Sequence, residues 1–419
     1  MNVHDSEKML GVLKEEGYLE TDNPGKADLI VFNTCSIRQK AEQKFYSELG
    51  RIKSYKEKRP ELRIAVAGCI AQQEGRNIFK KAPHVDFVFG PQNINLLNHI
   101  AELGSSYIAL EDNPGIAEHD LPVKRKDGLK AWVTIMYGCN NFCSYCVVPY
   151  TRGRERSRPG ENIYREVSEL AEGGYKEITL LGQNVNSYRS DVAFPGLLRI
   201  LNGVGGIERI RFVTSHPKDL SRELIDAMSE LPKVCEHIHL PLQSGSDNIL
   251  KRMNRGYNYS DYRKEVLELR KNLPDISITS DIIAGFPAET DRDHFGTIRA
   301  LKEIEFDGIF AFKFSPRPFT RAAGMQGRLQ ENIKSARLDE ILKLQDEITE
   351  RKNRHLKGTV QELLIEGPSD TDKERLTGRT RSNKIVNIPA GLTTPPGTII
   401  KVEIIKARKH SLEGIPVIE

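Results

Sequence analysis

From residue 131 to residue 315 the chain repeats one unit six times: a short β-branched or aliphatic run, then a stretch patterned for helix. The runs are AWVTIM (131–136), EITLL (177–181), RIRFVT (209–214), HIHLPL (237–242), ITSDIIA (278–284) and FAFKFS (310–315). Strands alternating with helices read as parallel βα units, and six of them predict an incomplete barrel, a partial (β/α)6 arrangement. Barrels of this kind take their ligands at the rim made by the C-terminal ends of the strands. A functional site is therefore expected just after a strand.

Three cysteines stand in such a place. Cys139, Cys143 and Cys146 follow the first run, inside MYGCNNFCSYCVVPYTRGRERSRP. A CxxxCxxC array supplies three thiolates to a four-iron cubane and leaves the fourth iron open to a substrate or cofactor. Zinc is the rival reading, but a closed zinc site needs a fourth donor and usually takes two separated pairs. His216, His237 and His239 are available donors, none at a spacing typical of a zinc site with this triplet. Disulfides rank below both. Six cysteines in 419 residues form no framework of spaced pairs, and the opening residues do not read as a secretory signal. A reducing, cytoplasmic setting is expected.

With 38% hydrophobic residues the chain can bury more than one core, and no apolar stretch approaches the roughly 20 residues of a membrane span. No membrane contact is expected. A net charge of +4 is too mild to announce nucleic acid, so local clustering matters more. One basic stretch, Arg152, Arg154, Arg156 and Arg158, follows the cysteine array and could hold an anionic loop beside it.

The first hundred residues read as a separate doubly wound α/β unit with parallel strands at ADLIVFN (27–33), LRIAVAG (62–68) and VDFVFG (85–90). Cys35 and Cys69 each follow a strand, and loops at the carboxyl ends of parallel strands converge. Taken alone, a Cys after a strand is more often a small buried thiol, and Cys235 is read that way. A long amphipathic helix is predicted over 331–355, its apolar face carrying Ile333, Leu338, Ile341, Leu342, Leu344 and Ile348. Beyond Lys357 the pattern becomes strand-like and predicts a small antiparallel β-barrel. Ser244 and Ser246 read as a helix N-cap. The expected domains are 1–118, 125–355 with the closing helix, and 356–419.

The cysteine triplet with Tyr145 before its last Cys resembles the radical S-adenosylmethionine (SAM) superfamily. LLGQNVNSY (180–188), VTSHPKDL (213–220), HLPLQSGSDNILKRMNRGY (239–257), DIIAGFPAET (281–290) and FKFSPRPFT (312–320) together resemble the methylthiotransferases, and GQNVNSY with YTRGRERSRP the MiaB-type group that modifies tRNA. The resemblance implies that SAM chelates the open iron and that its reductive cleavage yields a 5′-deoxyadenosyl radical. It implies a SAM pocket including Tyr145, Gly182, Gln183, Ser215 and Asp281. NTCSIRQKAEQK and AGCIAQQEG resemble the family's auxiliary-cluster segments, which makes Cys35 and Cys69 ligands of a second 4Fe-4S cluster. LTGRTRSNKIVNI resembles the TRAM RNA-binding domain, with Arg379, Arg381 and Lys384 as phosphate contacts.

The implied reaction is methylthiolation of C2 of N6-(dimethylallyl)adenosine at position 37, in the tRNA anticodon loop. A flavodoxin- or ferredoxin-type electron donor, iron–sulfur and sulfur delivery proteins, and a monomeric enzyme go with it. The alternatives are methylthiolation of threonylcarbamoyladenosine or of a ribosomal-protein aspartate, and a non-catalytic iron–sulfur RNA-binding sensor. One departure stands out. The family's auxiliary cluster takes three cysteines, the first in a GCQMN-type segment, whereas MNVHDSE resembles the residues just after it. The expectation is a shortened chain that lacks the initial strand and one cluster ligand.

Overall fold

The computed structural model describes residues 1–35, 39–118, 120–370, 372–390 and 394–417. Ser36 to Arg38, within the NTCSIRQKAEQK segment, lie outside the described residues. The chain divides into two compact units, one of residues 1–126, 136–159 and 315–323, the other of 127–135, 160–314 and 324–419.

The first unit holds a parallel sheet of Leu29–Thr34, Arg63–Gly68, Phe87–Phe89 and Tyr107–Ala109, in that order. Side chains alternate between its faces. Ala65, Ala67, Phe87 and Phe89 meet Met9, Val12 and Leu13 of the helix Asn2–Glu15. Ile64, Val66 and Val88 meet Phe45 and Leu49 of the helix Gln39–Lys58. With both faces covered, the central strand reads as an unbroken apolar run rather than an alternating one. The fourth strand was not foreseen, because YIA is too short to declare itself. A two-stranded antiparallel ladder, Met136–Tyr137 with Arg156–Ser157, also belongs to this unit.

In the second unit the six expected strands form two parallel sheets, Lys130–Thr134, Glu177–Leu181 and Arg209–Phe212, then His237–His239, Ser277–Ala284 and Gly308–Lys313. Ser215 N–H donates to His239 O (3.2 Å) and Cys235 N–H to Ile210 O (3.0 Å), so the arc is continuous across the two. The HIHLPL strand stops at His239, two residues before Pro241, which has no N–H to give a ladder. Cys235 is buried, and burial pushes its thiol pKa up.

The Ser244–Gly245–Ser246 turn supplies no side-chain cap to the helix after it. Ser246 stands at the N-cap of Asp247–Arg252, yet its hydroxyl donates to Asp293 (2.5 Å) rather than accepting from its own helix. A Cβ at Gly245 would lie 2.4 Å from Gly296 O, so only glycine permits this approach to the helix Asp291–Ile304.

The helix Glu331–His355 has the predicted length, but its buried stripe differs from the predicted face. Ile341 and Ile348 are buried, Ile333 and Leu342 are exposed, and Arg337 and Gln345 are inside. Arg337 donates to Glu289 O (3.0 Å) and pairs with Asp291, while Gln345 donates to Phe306 O (2.8 Å). Buried polar groups with partners of this kind are invisible to a hydrophobic period.

The C-terminal segment closes into a five-stranded barrel of Val360–Pro368, Arg375–Thr380, Ile385–Pro389, Leu412–Pro416 and Ile399–Ala407 around Leu363, Ile365, Val386, Ile388, Val402, Ile404 and Leu412. It is antiparallel except where Val386 and Asn387 pair in parallel with Leu412 and Glu413 to shut it. Two arginines of the RIRF strand hold it. Arg209 donates to Arg379 O (2.7 Å) and pairs with Glu362, and Arg211 donates to Thr380 O and Arg381 O (2.8 Å each). None of the described helices is long and apolar enough to cross a membrane.

Candidate active site

The cysteine loop lies in the first unit and is pinned at its base. Gly138 has φ +68°, and a Cβ there would sit 2.0 Å from Arg154 O. Cys139 N–H donates to Gly153 O (3.2 Å), Cys146 N–H to Cys143 O (2.9 Å), and Asn141 N–H points at Cys139 Sγ (3.5 Å). Cys139 and Cys143 are buried, Cys146 and Tyr145 half-buried, and all six cysteines of the chain are unbridged. Among the described residues no three His, Cys, Asp or Glu side chains are gathered tightly enough to close on a single ion. A cubane makes a different demand, because each thiolate takes its own iron. Three thiols on one pinned loop, with an amide already aimed at a sulfur, fit that donor set.

Cys35 and Cys69 leave neighbouring strands at one level, since Thr34 is registered with Gly68. Gly68 has φ +89°, and a Cβ there would lie 2.5 Å from Thr34 O. Cys69 is buried and Cys35 half-buried.

The basic stretch is mostly committed within its own unit. Burial opposes the charge of Arg152, but Asp5 at 2.6 Å and Cys69 outweigh it, and the guanidinium pKa moves up. Arg156 pairs with Asp112, whose carboxyl it holds below the usual range, and Arg158 with Asp120 (2.6 Å). Arg154 is exposed, its guanidinium 4.5 Å from the centre of the Phe142 ring.

The remaining sequence-predicted residues lie in the second unit. Gly182 is buried and Gln183 half-buried just past Leu181. Ser215 is buried three residues beyond Phe212, and its hydroxyl has no hydrogen-bond partner among the described residues. Asp281, within its strand, lies 3.5 Å from His239 Nε2. Two further rim residues, Asn184 and Gln243, went unmarked in the sequence although both fall inside recognised motifs. Asn184 Oδ1 and Gln243 Oε1 are buried without hydrogen-bond partners among the described residues. Backbone bonds from Val185 to Thr214 (2.9 Å), Ser215 to His239 (3.2 Å) and Gln243 to Asp281 (2.8 Å) tie these strand ends into one rim. Thr214 and Gln243 have φ +72° and +71°, a region that side chains other than Gly seldom enter.

Each orphaned buried polar atom costs about 1–3 kcal/mol, and strained backbone, which persists only where the surrounding structure over-determines it, clusters at ligand sites. A rim bearing three such atoms fits a polar cofactor such as SAM. His216, His237 and His239 have local work instead. His216 accepts from Lys218 N–H (3.3 Å) and burial takes its pKa to about 2; burial takes that of His237 to about 3; His239 Nδ1 lies 3.0 Å from Thr279 Oγ1.

The TRAM-like cations are also engaged inside the second unit. Arg381 makes a two-pronged pair with Glu236, Lys384 pairs with Asp307 (3.0 Å), and Arg379 lies 3.4 Å from Glu366.

Residues 1–90 match Uncharacterized protein family UPF0004, residues 133–301 the Radical SAM superfamily, and residues 354–417 the TRAM domain. The fold is similar to that of the radical S-adenosylmethionine methyltransferase TsrM from Kitasatospora setae, with a TM-score of 0.55 at 15% identity over 75% of this chain and 66% of that one. It is also similar to the cobalamin-dependent S-adenosylmethionine radical enzyme OxsB, with a TM-score of 0.54 at 12% identity over 71% and 49%. At these identities the likeness concerns the fold alone.

Full-length relatives say more. The tRNA-2-methylthio-N(6)-dimethylallyladenosine synthase of Thermodesulfovibrio yellowstonii is 57% identical over 417 residues, covering 99% of this chain and 96% of that protein. Those of Clostridium novyi and Acetivibrio thermocellus are 49% and 47% identical, covering 99% of this chain and 94% and 88% of theirs. With its three-thiol loop, its parallel arc and its closed C-terminal barrel, the chain belongs to the family of the tRNA-2-methylthio-N(6)-dimethylallyladenosine synthases.

Proposed function

We propose that the protein is a radical SAM methylthiotransferase that places a methylthio group on C2 of N6-(dimethylallyl)adenosine at position 37 of tRNA, in the cytoplasm. The observation that carries this reading is the pinned loop of Cys139, Cys143 and Cys146 in a chain 57% identical, over nearly its whole length, to a synthase of that name. When bound, the cluster and SAM supply a 5′-deoxyadenosyl radical, which suits a C2–H bond too weakly acidic for a side-chain base at neutral pH.

The chain's own residues bind and orient. The three thiols hold three irons, and the Asn141 N–H steadies one sulfur. Ser215, Asn184 and Gln243 offer polar atoms to the cofactor from one rim, together with Gly182, Gln183 and Asp281, and Tyr145 stands on the cysteine loop as a further cofactor contact. Cys35 and Cys69 serve as two of the donors to an auxiliary 4Fe-4S cluster, whose third donor is neither of these. A flavodoxin- or ferredoxin-type protein delivers electrons, sulfur delivery proteins replace what is consumed, and the enzyme works as a monomer on the anticodon loop.

The test is mass spectrometry of tRNA nucleosides from a strain lacking the gene, paired with SAM cleavage by anaerobically reconstituted protein. The expected result is loss of 2-methylthio-N6-(dimethylallyl)adenosine and release of 5′-deoxyadenosine. If that nucleoside persists while another methylthio product disappears, the substrate is different; if SAM is not cleaved but tRNA is bound, the protein is a sensor.

A further inference from the structure

Three aromatic rings stand together on the first unit, beside the cysteine loop. Phe142 lies between Cys139 and Cys143, and Tyr150 lies on the short helix Val148–Thr151 that follows Cys146. Phe319 comes from a segment more than 160 residues further along the chain. The Phe142 and Tyr150 rings are 6.1 Å apart, edge to face, and those of Tyr150 and Phe319 are 6.5 Å apart at 39°. Tyr150 is 45% exposed and Phe319 63%. Arg154 lies over Phe142, its guanidinium 4.5 Å from the ring centre.

Two of these rings sit on backbone that resists them. Phe142 has φ +46° and Phe319 φ +67°, left-handed conformations in which Cβ crowds the carbonyl. Packing can hold a buried ring in such a state, but Phe319 is mostly in solvent. Its segment is nonetheless braced. Thr320 N–H and Oγ1 both donate to Arg317 O (3.3 and 2.7 Å), and Ala322 N–H donates to Ser144 O in the cysteine loop (2.7 Å). Backbone strain held in place by its surroundings clusters at ligand clamps and active sites.

The row's chemistry names the ligand. A contiguous row of rings, its Tyr150 and Phe319 members exposed, with a guanidinium at one end suits flat, electron-rich rings joined by phosphates, as unstacked RNA bases are. Arg154 matches the phosphate charge, which an apolar protein partner would not require. We propose that Phe142, Tyr150, Phe319 and Arg154 form a stacking platform for the unpaired bases that flank the modified adenosine in the tRNA loop. This rests on reading the protein as a tRNA-modifying enzyme.

The test uses the full chain, anaerobically reconstituted, and an anticodon stem-loop RNA carrying 2-aminopurine next to the target adenosine. Binding is followed by anisotropy and stacking by fluorescence quenching. Phe319→Gly and Tyr150→Ala are each expected to weaken binding about 5- to 100-fold and to abolish quenching, while Phe319→Trp retains both. Glycine accepts φ +67° without strain, so Phe319→Gly should melt no earlier than the parent and carry the same iron. Parental affinity and quenching in Phe319→Gly and Tyr150→Ala would overturn the proposal. So would a binding loss that tracks lower melting temperature or iron content, which makes the ring structural. Unchanged RNA binding with slower reduction of the cluster by reduced flavodoxin would assign the row to a protein partner and overturn it equally. If instead the parent modifies no tRNA, the proposed function itself fails; if it does and only the quenching is missing, the platform alone fails.

Discussion

The Arg152 guanidinium lies 2.6 Å from the Asp5 carboxylate, with both side chains almost wholly buried and Asn2 Oδ1 accepting a further bond at 3.0 Å. The pair joins the opening helix to the segment that follows the cysteine array. Removing one member of a buried pair leaves the other charge unanswered. Asp5→Ala is expected to cost about 3–5 kcal/mol, read from urea unfolding. The double variant Asp5→Ala/Arg152→Met should lose clearly less than the sum of the two single changes. A single-variant loss under about 1 kcal/mol would show that water reaches the site.

Ser215 makes the opposite prediction. Its buried hydroxyl has no partner among the described residues, so Ser215→Ala should leave the SAM-free protein as stable as before or slightly more so. SAM affinity should fall about tenfold, the worth of one hydrogen bond near 1–1.5 kcal/mol. Equilibrium dialysis and melting curves with and without SAM separate the two effects. Unchanged SAM affinity would remove Ser215 from the pocket.

Salt dependence distinguishes the arginines. Arg381 is held by Glu236, so Arg381→Ala should destabilise the second unit and leave the slope of log affinity for tRNA against log salt unchanged. Arg154 is exposed on the Phe142 ring, and Arg154→Ala should reduce that slope by about one phosphate contact. A lower slope for Arg381→Ala would mean that the barrel's arginine exchanges its carboxylate for phosphate on binding.

Glu265 couples stability to pH. Burial, then Asp261 and Asp219, raise its pKa to about 8, and Oε2 has no hydrogen-bond partner among the described residues. Its folded pKa lies above the unfolded value of 4.5, so the folded state binds the extra proton between those limits. The contribution is full below about pH 4.5 and is lost as pH rises toward 8. Glu265→Gln should remove that loss and stabilise the protein at pH 8.5 by roughly 1–2 kcal/mol after solvent screening, with little effect at pH 5. Melting temperatures across this range test it, and parallel profiles for parent and variant would count against it.

Much of the architecture was readable beforehand because it repeats. Six aliphatic runs announced six strands, and each was found within a few residues of its expected place. Departures came where one residue's chemistry overrode the pattern. Pro241 shortened a strand by lacking an N–H, and Arg337 and Gln345 entered an apolar stripe by bringing their own partners.

The fate of the charges was not readable. Arg379, Arg381 and Lys384 look like phosphate contacts in one dimension, yet Glu366, Glu236 and Asp307 meet them in three. Arg209 and Arg211 look like ordinary members of an alternating strand and serve to hold the barrel.

Sequence alone determined the cysteine spacing, the order of strands and helices, and the membership of the family, because these depend on local periodicity and on donors a few residues apart. Tertiary structure alone decided which cations are neutralised, which buried polar atoms stay unsatisfied, and which rings are strained into solvent. Those outcomes depend on groups that meet only after long loops close, and a side chain's partner across such a loop leaves no mark on the residues beside it.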